Sequence, residues 1–161
     1  MSLAPAEISF VEIPRPGQGH TIAEEAALLL LQGIRGILVP SPEQIEKAVA
    51  SELDTNPSLA AVNEEGTVVG TGGIQLYEID DVIKGGIVNM VVTPSERGRG
   101  IGTAIMSKLE TAAARAGAQE VFGQQHPGSL GFYERRGCEP AMRPFVRGNV
   151  LVKPIETLQP S

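Results

Sequence analysis

The chain has 161 residues, a formal net charge of -6, 42% hydrophobic residues and one cysteine, Cys138. This length suits a single domain spanning residues 1–161 with a real core. The acidic balance disfavours a nucleic-acid partner, and a lone thiol excludes an internal disulfide or a cysteine-based metal cluster. The longest apolar run, Ala26 to Leu31, is far too short to cross a membrane, and no basic-flanked apolar leader is present, so a soluble cytoplasmic protein is expected.

The first element in chain order is a strand over Ile8 to Ile13, where apolar and polar residues alternate before Pro14. Thr21 reads as the N-cap of a helix over Ile22 to Ile34 that Gly33 and Gly36 close, with Glu24 and Glu25 at its positive end. Ser41-Pro42-Glu43-Gln44 has the form of a capping box with proline at the first helical position, and opens a second helix expected to reach Leu53. Leu59 to Val62, the turn Asn63 to Gly66 and Thr67 to Gln75 form a hairpin. Within it Gly70, Gly72 and Gly73 mark a bulge or a close backbone contact. Leu76 to Ile79 extend the second strand, Asp80-Asp81 turn the chain, and Lys84-Gly85-Gly86 lead into an apolar strand over Ile87 to Val92.

After Thr93-Pro94 the chain reads Arg97-Gly98-Arg99-Gly100-Ile101-Gly102-Thr103. A helix follows, with Ile101, Ala104, Ile105, Leu109, Ala112, Ala113 and Ala116 on one side and Gly117 as its stop. Glycines that admit positive φ, unpaired amides of a first helical turn and two guanidinium groups suit a polyanion such as pyrophosphate. A Walker A loop would need a lysine where none stands. A dinucleotide fingerprint would need its third glycine at Thr103. A tight turn with solvated arginines is the plainer alternative.

Beyond this helix, Val121 to Gln124 form a strand parallel to Val88–Val92, the one parallel β-α-β crossover in a mostly antiparallel sheet. His126-Pro127-Gly128 turn the chain, Ser129 caps a short helix through Arg136 that Gly137 ends, and strands close the fold near Glu139 to Val146 and Asn149 to Ile155. The overall expectation is a mixed α/β sheet with helices on both faces. The closing strands near Asn149 to Ile155 offer an edge for pairing in a homodimer.

Two separated segments resemble those of one family. Arg97-Gly98-Arg99-Gly100-Ile101-Gly102 is similar to the Gln/Arg-x-x-Gly-x-Gly/Ala motif of the GCN5-related N-acetyltransferase (GNAT) superfamily. Gly131-Phe132-Tyr133-Glu134-Arg135-Arg136-Gly137-Cys138 resembles its later Phe-Tyr-Glu-x-x-Gly-Phe segment. The resemblance covers Asn56 to about Val152, and the first third of the chain in outline. It implies transfer of an acetyl group from acetyl-CoA to a primary amine of a small molecule or peptide, by direct attack in a ternary complex.

The resemblance further implies that amides around Arg97, Gly98, Arg99, Gly100, Ile101, Gly102 and Thr103 hold the pyrophosphate. Met90, Val91 and Val92 would pair by backbone with the pantetheine arm, and Tyr133 would protonate the leaving thiolate. His126 stands where many relatives carry an asparagine that touches the cofactor arm. A glutamate that some members place at the start of the central strand is replaced by Gly86, so the base is unassigned. Glu78, Asp80 and Asp81 are candidates for it or for attracting a cationic substrate. No metal is expected. The alternative of another class is a non-catalytic CoA-binding or sensing module.

Overall fold

A computed structural model describes residues 7–14, 21–55, 57–124, 135, 137–142 and 149–155. The chain divides into two compact units, one of Met1–Gly73 with Asn89–Lys108, the other of Ile74–Val88 with Leu109–Ser161.

In the first unit, strand β1 (Ser9–Glu12) pairs antiparallel with β2 (Ser58–Val62), and β2 with the first half of β3 (Val68–Ile79). The β2–β3 register slips between Ala61 and Val62, opposite Gly70 and Val68. This is a bulge within the hairpin whose glycines suggested one. Helix α1 (Thr21–Gly33) buries Ala23, Ala26, Ala27, Leu30 and Leu31, spaced at three and four residues as one helical face requires. Thr21 is itself helical, not the cap that precedes the helix.

Helix α2 (Pro42–Lys47) carries the full capping box: Gln44 N donates to Ser41 Oγ at 3.1 Å, and Ser41 N to Gln44 Oε1 at 2.8 Å. It does not run on to Leu53. Ala48–Glu52 winds instead as a π-helical turn, with Leu53 N donating to Ala48 O at 3.0 Å. Five residues apart on an α-helix of about 3.6 residues per turn, Ala48 and Leu53 would face different directions. The wider turn buries both in the core of Ile13, Ala23, Ala26, Ala27, Leu31, Ala60 and Val68.

In the second unit the rest of β3 turns at Asp80 and Asp81, which have φ of 53° and 64°. Two successive left-handed residues make the tight hairpin turn whose twist matches that of its strands. Strand β4 (Val82–Val92) therefore starts well before Ile87, and Lys84–Gly86 lie inside it. Gly85 and Gly86 are buried, and a Cβ on Gly85 would lie 3.2 Å from Ala113 Cβ.

Helix α3 (Ile101–Arg115), which continues from the first unit into the second, ends at Gly117 with φ of 90°. Its buried residues are Ile101, Ile105, Met106, Leu109 and Ala113. Ala104 and Ala112 are only half-buried and Ala116 is exposed, because Met106 takes part of the buried stripe.

Strand β5 (Ala118–Gln124) follows at once, three residues ahead of Val121, and pairs parallel with β4 through Ile83–Ile87, not through the expected Val88–Val92, because both strands start earlier than expected and meet along their first residues. Strand β7 (Asn149–Pro154) pairs antiparallel with β5 on one side and with β6 (Glu139–Met142) on the other. Asn149–Pro154 is thus not a free edge, since β6 occupies its second ladder. The expected continuation of β6 to Val146 lies outside the described residues. The strand order is β1-β2-β3-β4-β5-β7-β6, a mixed sheet with helices, as expected. Among the described residues no helix is long and apolar enough to cross a membrane.

Candidate active site

The central feature of the first unit is a break in β4. Asn89 has φ of 60°, which places a non-glycine residue in the left-handed region within a strand. Two hydrogen bonds hold it there. The fully buried Thr71 donates from Oγ1 to Asn89 O at 2.7 Å, and Asn89 Nδ2 donates to Glu52 O at 2.6 Å. Beyond the break Met90 and Val92 are half-buried while Val91 is buried. Gly33, at the end of α1, faces Val91: a Cβ there would lie 2.7 Å from Val91 Cγ1. Thr93 N donates to Val69 O at 2.9 Å and so keeps the end of β4 tied to β3.

The chain then turns through a 3-10 segment, Pro94–Glu96, closed by Glu96 N to Thr93 O at 2.9 Å and Arg97 N to Pro94 O at 3.3 Å. Gly98 and Gly100 have φ of 81° and 83°. A Cβ on Gly98 would meet nothing within 4 Å, so glycine is required there by backbone conformation and not by space. The first bond inside α3 runs from Ala104 N to Gly100 O at 3.0 Å. The Ile101 and Gly102 amides therefore precede the helical ladder at its positive end, where anions are stabilised. Thr103 is half-buried in the same first turn.

The two arginines behave differently. Arg97 donates from Nε to Val92 O at 3.2 Å and is exposed. Arg99 is held between Glu96 and Glu7, the latter at 3.0 Å. A phosphate binding Arg99 would exchange with these carboxylates.

The position of the missing glutamate is closed. A Cβ on Gly86 would lie 2.9 Å from Tyr77 Cε2 and 3.0 Å from Phe122 Cζ, within an aromatic pair whose centroids are 5.7 Å apart. In the hairpin of the second unit, Glu78, Asp80 and Asp81 are exposed, and the two aspartates form the turn itself. In the first unit the main chain of a different acidic residue meets β4. Glu52, at the end of the π-helical turn, pairs with Arg35 and meets Asn89 through its carbonyl. Neither Glu52 nor Thr71 belongs to a motif. The helical spacing of Ile45, Ala48, Val49 and Leu53 runs on past Lys47, so no local pattern singles out either residue.

In the second unit Cys138 is buried. Burial pushes its thiol up to about 11, with the nearby Glu110 charge adding to the rise and Lys153 opposing it. Lys153 Nζ donates to Glu110 at 2.9 Å. The thiol is protonated at neutral pH and is no nucleophile there. His126, Ser129, Phe132 and Tyr133 lie outside the described residues. Among the described residues no three His, Cys, Asp or Glu side chains converge on a metal position.

Comparison with known proteins gives a family. The model of the acetyltransferase (GNAT) family matches residues 29–138, whereas no curated protein matches the chain. Among solved structures, an acetyltransferase of the GNAT family from Staphylococcus aureus is similar with a TM-score of 0.70 at 16% identity, over 92% of this chain and 99% of that one. N-acetylglutamate synthase from Neisseria gonorrhoeae, complexed with coenzyme A and N-acetyl-glutamate, aligns with a TM-score of 0.66 at 17% identity, over 94% of this chain and 36% of that one. Glucosamine-6-phosphate N-acetyltransferase from Arabidopsis thaliana aligns with a TM-score of 0.64 at 14% identity, over 88% and 97%. At these identities the structures speak for the fold alone. The family match covers more than half of the chain and includes the broken strand, the glycine turn and α3, and the protein belongs to the GNAT acetyltransferase family.

Proposed function

We propose that the protein is an N-acetyltransferase that uses acetyl-CoA to acetylate a primary amine of a small molecule or peptide, by direct attack in a ternary complex. The observation that carries this reading is the junction of β4 with α3: left-handed Gly98 and Gly100 deliver the chain to a helix N-terminus directly after a strand broken at Asn89. The donors there fit a pyrophosphate, which asks for converging N–H groups and tolerates no bulky side chain in its path. A neighbour solved with coenzyme A has this fold.

When bound, the thioester supplies an activated acyl group. The chain's own part is placement, oxyanion stabilisation and proton handling. In this reading the amides from Arg97 to Thr103 cradle the pyrophosphate, and the backbone of Met90, Val91 and Val92 runs beside the pantetheine arm and offers an N–H to the carbonyl oxygen. His126 is the residue assigned to contact the same arm. Tyr133 holds the proton destined for the thiolate.

Calorimetric titration of CoA and acetyl-CoA tests the site. Wild type binds both, and Gly100→Glu, which sets a charged side chain in the phosphate path and forces a left-handed backbone on a non-glycine residue, loses at least about tenfold in affinity. Absence of binding to folded wild type would remove the reading. Tyr133→Phe separates the enzyme from a non-catalytic CoA-binding module. CoA affinity is retained and amine-dependent thiol release falls about tenfold to a hundredfold. Equal turnover by the variant would discard Tyr133 as the acid.

A further inference from the structure

Among the described residues Glu52 has a donor on only one of its two carboxylate oxygens. Oε1 accepts from Arg35, whose side chain is 56% exposed, while Oε2 is closed off from solvent and has no donor among the described residues. A buried carboxylate oxygen without a donor is costly, and native proteins satisfy such groups with water, an ion or a ligand. The main chain that carries this carboxylate is tied to β4. The π-helical turn ends at Glu52, and the Glu52 carbonyl sits 2.6 Å from Asn89 Nδ2. That contact lies directly ahead of Met90–Val92, the segment assigned above to the acyl arm. The start of the same strand offers no alternative, because Gly86 is walled in by Tyr77 and Phe122.

We propose that Glu52 is the specificity carboxylate for the acceptor: it takes the ammonium group of a cationic primary amine, and Arg35 is the cation that the acceptor displaces. The proposal rests on the amine-acceptor reading above. Arg35 is a weak occupant, since an ion pair formed by a largely exposed arginine contributes little to stability. Its guanidinium, arriving from the segment after α1, reaches Oε1 alone. A primary ammonium is a compact head with three donors, enough to serve both oxygens once Arg35 has swung away. Acceptor recognition and the shape of the acyl strand then share one contact, the bond from Asn89 to the Glu52 carbonyl.

The test is an NMR titration of the full chain, saturated with CoA, with n-butylammonium chloride. Tetramethylammonium chloride serves as a cation that has no N–H. Wild type is expected to show saturable shifts at the Glu52 and Asn89 amides with n-butylammonium alone. Glu52→Gln weakens that binding about tenfold, and Arg35→Met, which removes the competitor, tightens it about threefold.

Equal affinity in wild type and Glu52→Gln, weaker binding by Arg35→Met, or no response of wild type overturns the proposal. CoA titrations of all three proteins keep the two levels apart. Unchanged CoA affinity with a failed amine response removes the role of Glu52 and leaves the acyl-CoA reading standing, while wild type that fails to bind CoA removes both. Should Glu52→Gln prove unfolded by its own CoA titration, the sign of the Arg35→Met effect decides.

Discussion

At Asn89 a side chain does for β4 what glycine would otherwise do. The left-handed conformation costs an ordinary L-residue about 1–2 kcal/mol, and asparagine tolerates it better because its short amide finds a local partner. Here the partner is the Glu52 carbonyl, and the backbone carbonyl of Asn89 is anchored in turn by buried Thr71. Asn89→Gly keeps the backbone but loses the amide donor, for an expected loss of about 1 kcal/mol. Asn89→Val loses the donor and forces a β-branched residue into the left-handed region, for about 2–3 kcal/mol. Urea unfolding of the two variants measures both. If valine were no worse than glycine, backbone conformation would not be what selects asparagine here.

Among the elements, α3 is set by a glycine on the strand beside it. A Cβ on Gly70 would lie 3.1 Å from Ile101 Cγ2 and 3.3 Å from Ile105 Cδ1. The absence of a side chain there lets the first two turns of the helix seat on β3, and that seating holds the helix N-terminus next to the glycine turn. Gly70→Val overpacks this contact and is expected to lower stability by about 1–3 kcal/mol. It should also weaken CoA binding, because a displaced helix carries its amides with it. A thermal melt and a CoA titration check the two effects, and a stable variant with normal affinity would show that α3 is positioned by other contacts. The π-helical turn after α2 is a second case of packing overriding local pattern, since burial of both Ala48 and Leu53 selects the wider turn over a regular helix.

For the whole molecule, pH acts on stability through Cys138. Its thiol is raised from 9.0 to about 11 in the folded protein, so the folded state holds this proton more tightly than the unfolded chain does. The resulting stabilisation is fully present below pH 9.0 and is lost as pH rises toward about 11. Thermal melts across that window should fall more steeply for wild type than for Cys138→Ala, which removes the titrating group. Parallel curves would assign the alkaline loss to other groups. Native-state thiol labelling near neutral pH is expected to be slow for the same reason.

The chain by itself determined those features that depend on neighbouring residues. The capping box of Ser41 and Gln44, the turn at Asp80-Asp81, the stop at Gly117, the parallel crossover after α3 and the motif from Arg97 to Thr103 all follow from local spacing and residue type. The two family segments together pointed to the fold that the structure and the family match bear out. Contacts between residues distant in sequence were decided by tertiary structure alone. Only in three dimensions does Thr71 meet Asn89, Asn89 meet Glu52, or Tyr77 and Phe122 close the space over Gly86. Likewise β7 lost its free edge only because β6 folded against it. Hydrogen bonds and van der Waals contacts act over a few ångströms, and periodicity along the chain carries no record of which distant residues they will join.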